Sequence, residues 1–379
     1  MARLLLRVLR LNWEGGAYTQ TVLQPKDFEE RPRVKRKLSA FPAKALQHLG
    51  LLIAFVLIVA AGTFTVERPV LASVLIFAFS LGYLVASVVT RRASFLYGTM
   101  LLGAVSYFMA CHALGAPGNS FPLLSVPLVA ALLAVGHHLR GRLPADLLDY
   151  PSTVFRAMDI TAGVFALWAV VHVGELADQP GMLRYVAALT FLGYALVYFL
   201  HCAAIRKFVY TYVFSVALTL GSVFAVTAVW GVDFAWIPSI ASAAVILLAG
   251  TQFHPNATHT WARHFYVASV GAIFISLVLA LAWWPFVAVA LACSSLLLWA
   301  AYGWLEKAVP NVLNATMGDR VIAKCFFYGS LGMAMPIAPL IFIVPSSGYV
   351  IASALICGLT FSWIVWRRRN NAVAHSNVR

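Results

Sequence analysis

LRYVAALTFLGYALVYFLHCAAIRKFVYTYVFSVALTLGSVFAVTAVW, residues 183–230, is the stretch on which the fold turns. Its only formal charges are Arg184, Arg206 and Lys207, so two long apolar runs flank one basic dipeptide. A run of roughly 20 apolar residues is long enough for an α-helix to cross the hydrocarbon of a bilayer. A helix also satisfies its own backbone polar groups, which no extended segment can do in lipid. The stretch therefore reads as a helical hairpin that enters the membrane, leaves it, turns at Arg206-Lys207 and returns.

The same pattern continues outward in both directions. Of 379 residues, 62% are hydrophobic and 11% charged, against about 45–50% and about 25% in soluble domains. That excludes a soluble globular enzyme, a disordered regulator and a disulfide-stapled secreted domain. The reading is an all-α integral membrane protein with twelve transmembrane helices. They are placed at 46–65, 69–90, 94–114, 121–138, 154–175, 183–204, 208–230, 234–251, 264–284, 285–305, 322–344 and 348–366. Turn and breaker residues mark the tight joints, as at Gly231-Val232-Asp233 and Trp284-Pro285.

Charge placement gives the expected direction. The net charge is +14, and every Lys and Arg except Arg68 and Arg184 falls at alternate joints or in the two termini. Under the positive-inside rule both termini are cytoplasmic. Topology thus explains the excess charge, and nucleic acid is not an expected partner. The five cysteines all lie in apolar runs without a CxxC spacing, so they read as small hydrophobes.

Residues 1–45 form a basic cytoplasmic arm. MARLLLRVLRLNW sets Arg3, Arg7 and Arg10 on one helical stripe, the mark of an interfacial helix. Arg31, Arg33, Lys35, Arg36 and Lys37 then precede the first span, facing anionic lipid headgroups or a protein partner.

An internal repeat is also legible. Leu81-Gly82-Tyr83 recurs as Leu192-Gly193-Tyr194. Phe95-Leu96-Tyr97-Gly98, Phe208-Val209-Tyr210-Thr211 and Phe326-Phe327-Tyr328-Gly329 each open a span after basic residues. The reading is three pseudo-repeated four-helix units, 46–138, 154–251 and 264–366. Cytoplasmic loops 139–153 and 252–263 separate them, and a basic tail, 367–379, follows. Gathering of aromatics and cations at membrane interfaces is the plainer explanation of the same motifs. Neither of two twelve-span families fits. Major-facilitator transporters carry a glycine-, acid- and arginine-rich motif after span two, where this chain has Thr90-Arg91-Arg92-Ala93-Ser94, and haem–copper oxidases need more intramembrane histidines.

Ionisable residues within spans are functional candidates by default. Asp159 sits inside span five with Arg156 three residues earlier, which suggests a gating ion pair or a structural anchor. Tyr97, Tyr210 and Tyr328 open three spans at matched positions, and Pro336 and Pro339 interrupt span eleven. These residues are the expected substrate pathway. His112, His172 with Glu175 at i+3, and His201 are candidates for proton or metal binding. His137-His138 and the series His254, His259 and His264 fit no metal spacing, and no cofactor is expected.

No charge lies at a bilayer midplane, and no P-loop, Ser/His/Asp set or carboxylate pair is present. The functional expectation is a permease or flippase for an uncharged or amphipathic solute, without obvious ion coupling. It would sit in a cell membrane, the plasma or inner membrane of a bacterium. The alternatives are a non-catalytic anchor or scaffold subunit of a larger complex, and a His-dependent haem or metal membrane protein.

Overall fold

The computed structural model describes residues 69–142, 149–175, 180–253, 261, 263–281, 286–308 and 317–337, with isolated positions between 351 and 362. The N-terminal arm, the first span, Pro339, most of the last span and the tail lie outside these residues. Those described are helical, with no strand among them. The helices are α1 (Pro69–Thr90), α2 (Ser94–Ala113), α3 (Phe121–Arg142), α4 (Asp149–Glu175), α5 (Pro180–Ile205), α6 (Phe208–Trp230), α7 (Trp236–Phe253), α8 (Arg263–Leu281), α9 (Val287–Ala308) and α10 (Met317–Ala334).

Among the described residues nine helical segments are long and apolar enough to cross a membrane, and Val321–Ala334 is a shorter apolar helix. The chain is an integral, multi-pass membrane protein. Several helices outrun the spans expected from hydropathy. α3 extends to Arg142, and α4 starts at Asp149 rather than at 154. Hydropathy detects the hydrocarbon layer, whereas a helix continues as long as its backbone bonds and caps allow. At the start of α4, Asp149 complements the positive helix end. Pro151 sits early in the same helix, where its missing N–H costs little.

The chain divides into two compact units, Met1–Ala110 and Cys111–Arg379, and α2 runs across the division. In the first unit, α1 and α2 form a hairpin held by small polar side chains. Ser73 Oγ donates to the Ser106 carbonyl at 3.0 Å, and Ser106 Oγ returns a bond to the Ser73 carbonyl at 2.8 Å. Ser80 Oγ donates to the Thr99 carbonyl at 2.8 Å. Lipid tails are as apolar as leucine, so helices in a membrane associate through close packing and such bonds rather than through hydrophobic burial. Val70, Val74, Val85 and Val89 of α1 are exposed accordingly.

The second unit packs α3 on α4 and α5, α5 on α6, α6 on α7 and α8, α7 on α8, and α9 on α10. Thus α3, the last helix of the first expected repeat, shares its packing with α4 and α5, the first two of the second. Helices α5 and α6 approach closely. A Cβ on Gly221 would lie 2.8 Å from the backbone nitrogen of Leu192, so only glycine admits this spacing. Gly136 of α3 likewise lies under Phe155 of α4, 2.5 Å from where its Cβ would be.

Two joints share one device. Arg91 and Arg206 have φ of 52° and 58°, in the left-handed region usually given to glycine at helix ends. Arg92 N–H reaches back to the Ser87 carbonyl at 3.3 Å, and Arg206 N–H to the Cys202 carbonyl at 2.7 Å. Ser87 Oγ donates to the Arg92 carbonyl, and Cys202 Sγ to the Lys207 carbonyl, each five residues on. Both α1–α2 and α5–α6 therefore end their first helix on a left-handed arginine with a polar side chain folded over the turn.

Candidate functional site

The site grows out of α5. Tyr194, Tyr198 and His201 recur at i, i+4 and i+7, which sets them along one helical face. That face is turned inward, with Tyr194 2%, Tyr198 4% and His201 0% exposed. The three polar tips reach two neighbouring helices. Tyr194 bonds Ser125 of α3, oxygen to oxygen at 2.5 Å. Tyr198 donates its hydroxyl to Asp159 Oδ1 of α4 at 2.9 Å. His201 Nδ1 lies 3.3 Å from Nε2 of His137, on α3.

The first turn of α6 completes the group. Tyr210 donates to the second carboxylate oxygen of Asp159 at 3.5 Å, and its ring stacks on Tyr198 with centroids 6.1 Å apart. The same ring meets His201 edge-on at 4.1 Å. Phe155 closes the other side, 4.7 Å from His201 and 5.2 Å from His137. Next to it, Cys202 bonds the Thr211 hydroxyl at 3.1 Å. Four helices thus bring a carboxylate, three phenols and two imidazoles toward the end of the unit where Arg140, Arg142, Arg206 and Lys207 stand exposed.

Burial leaves one loose end. His201 Nε2 is a buried nitrogen with no hydrogen-bond partner. An imidazole always presents one nitrogen as donor or acceptor beyond its first bond, so this atom keeps a hydrogen-bonding capacity that the fold does not use.

The expected pathway residues separate into those the structure gathers and those it does not. Asp159, Tyr210 and His201 come together. Arg156 is exposed on α4, and Asp159 takes the tyrosine hydroxyls instead, with no Arg156–Asp159 ion pair among the described residues. Tyr97 and Tyr328 are 37% and 65% exposed on α2 and α10. Pro336 lies in a turn directly after α10. His112 and His172 stand at the far ends of their helices, strung through Phe121 and Trp168 rather than facing each other. The side chain of Glu175 lies outside the described residues. Among those described, no three His, Cys, Asp or Glu side chains gather as a metal-holding group.

Two further contributors, Tyr198 and Ser125, are not marked by any motif in the sequence, and His137 is marked there only by its His137-His138 pairing. Tyr198 was accessible through its helical spacing from Tyr194 and His201. His137 and Ser125 were not, because their roles depend on α3 crossing α5. Elsewhere, His264 of α8 is bound by the Tyr212 hydroxyl at 2.9 Å and stacked on Phe208, which ties α8 to the start of α6.

No family model, curated protein or solved structure matches the chain.

Proposed function

We propose that the protein is a permease or flippase for an uncharged or amphipathic solute, and that the Asp159–Tyr198–Tyr210 group is the working part of its pathway. One observation carries this reading: a carboxylate enclosed by two phenols inside helices of membrane-spanning length. Ionisable groups at such depth are costly and are kept chiefly for transport or proton handling. The finer architecture belongs to the same proposal. It comprises twelve spans, both termini on the cytoplasmic side, and three related four-helix units, in a plasma or bacterial inner membrane. The shared joint at Arg91 and Arg206 supports the relation between units. The arm at 1–45 is assigned to anionic headgroups.

The test is reconstitution of the full chain into liposomes with two probes. Dithionite quenching of a fluorescent phospholipid reads flipping, and stopped-flow light scattering reads entry of small uncharged solutes such as glycerol. Activity by either probe that is lost in both Asp159→Asn and Tyr198→Phe is the expected result. Activity unaffected by both substitutions would remove the site from the pathway. Inactive liposomes, together with a gently extracted native complex holding other subunits in fixed ratio, would replace transport with the anchoring role.

A further inference from the structure

The histidine pair does more than fill space beside the carboxylate. His137 and His201 come from different helices and meet nitrogen to nitrogen, with His137 half-buried and His201 fully buried. A single hydrogen between two imidazoles fixes both tautomers together. If His137 Nε2 donates, His201 Nδ1 is bare and its Nε2 carries the proton. If His201 Nδ1 donates, its Nε2 is bare and His137 carries its proton on Nδ1. Moving between these states carries a proton through both rings and requires no lasting charge in the interior.

We infer that His137 and His201 conduct protons between the basic end of the unit and Asp159. A proton from solvent enters at His137 Nδ1, and the His137 Nε2 proton crosses to His201 Nδ1. The proton on His201 Nε2 then leaves for the Tyr210 hydroxyl once that side chain shifts within hydrogen-bond reach, and Tyr210 gives its own proton to Asp159. One proton is taken up, one appears on the carboxylate, and no electrons move. The unpartnered Nε2 of His201 is the exit that this sequence requires; the Tyr210 ring packs edge-on against the His201 ring with its hydroxyl on the carboxylate, so the transfer needs that hydroxyl to shift onto Nε2.

The groups facing the relay come from every packed element. They are Arg140 from α3, Asp159 from α4, Tyr194, Tyr198 and Cys202 from α5, Tyr210 from α6, and Lys207 from the joint. The inference adds proton movement to the proposed permease and rests on that reading only for its use, since the relay is measurable without any solute.

The experiment follows the Asp159 carboxyl band by infrared spectroscopy after a rapid drop in pH, using the full chain in lipid nanodiscs. Asp159→Asn identifies the band. In wild type the band rises quickly. In His201→Gln and His137→Gln it rises on the order of a hundredfold more slowly, to the same final amplitude. Added imidazole restores the rate in His137→Ala, because that position opens toward solvent. A merely structural role would change the position or amplitude of the band and leave the rate and the imidazole response untouched. Equal rates in wild type and both glutamine variants would overturn the relay, as would an Asp159 band that never appears on acidification. Either result leaves the liposome assays free to succeed or fail independently.

Discussion

The hairpins α1–α2 and α5–α6 make an instructive pair, because they share a frame and differ in content. Both turn at a left-handed arginine, both fold a polar side chain over that turn, and both carry Leu-Gly-Tyr on the first helix. In α1–α2 the helices are clasped by Ser73, Ser106 and Ser80, and the outer face of α1 is left to lipid. In α5–α6 the same stretch is aromatic and buried, and its polar tips reach to α3 and α4. Tyr83 lies over Gly98 of its own hairpin, and its counterpart Tyr194 bonds Ser125 of another helix. The lesson is that one hairpin frame can carry either small hydroxyls that clasp its own two helices or aromatic side chains whose polar tips bond neighbouring helices. A third hairpin, α9–α10, sides with the first: Ser295 Oγ donates to the Ser330 carbonyl at 2.9 Å.

The largest effect should come from the matched glycines. Gly193 has Val126 2.6 Å from where its Cβ would be, and Gly221 has backbone at 2.8 Å, whereas Gly82 has open space. Gly221→Leu should cost about 3 kcal/mol and Gly193→Leu about 2 kcal/mol through overpacking. Gly82→Leu should stay within about 0.5 kcal/mol. Unfolding in detergent, followed by loss of helical signal, measures all three. Equal losses at Gly82 and Gly193 would break the contrast between the hairpins.

Next comes the carboxylate. Asp159→Ala leaves the buried Tyr198 hydroxyl without its acceptor and should cost about 1–3 kcal/mol. Asp159→Asn, which still accepts a bond, should cost less than alanine in the same unfolding assay. The serine clasp of α1–α2 should be weaker. Ser73→Ala and Ser106→Ala should each cost about 0.6 kcal/mol, the usual value of a hydrogen bond between helices in a membrane. Because the two bonds share one site, a double-mutant cycle should show them coupled, whereas Ser73 and Ser295 should add independently.

A last effect has the opposite sign and tests what the hairpins share. Glycine at the left-handed position relieves Cβ strain, so Arg91→Gly and Arg206→Gly should each stabilise by about 1 kcal/mol. A gain at one joint with a loss at the other would show that the two turns are held by different means.

Much of this fold was legible because lipid imposes so simple a demand. The run 183–230 had to be two helices, since no other backbone satisfies itself in hydrocarbon, and its Arg206-Lys207 break had to be a joint. Helix ends were less legible. The start of α4 at Asp149 depends on capping, which hydropathy does not register. Within the site, Asp159 stood out because a carboxylate is rare in a span, and His201 because an imidazole is. Arg156 was the obvious partner by spacing, yet residues three apart on one helix are drawn together only if nothing better is offered. Tyr198 and Tyr210 offer it from α5 and α6.

The sequence by itself therefore determined that the chain is a multi-pass helical membrane protein, since apolar run length and charge placement are local properties of the chain. Only the tertiary structure decided which polar residues meet. His137 and His201 are 64 residues apart, Ser125 and Tyr194 are 69 apart, and Asp159 and Tyr210 are 51 apart. Their contacts arise from the way glycines such as Gly221 and Gly136 let neighbouring helices close, and no periodicity within a single span encodes that.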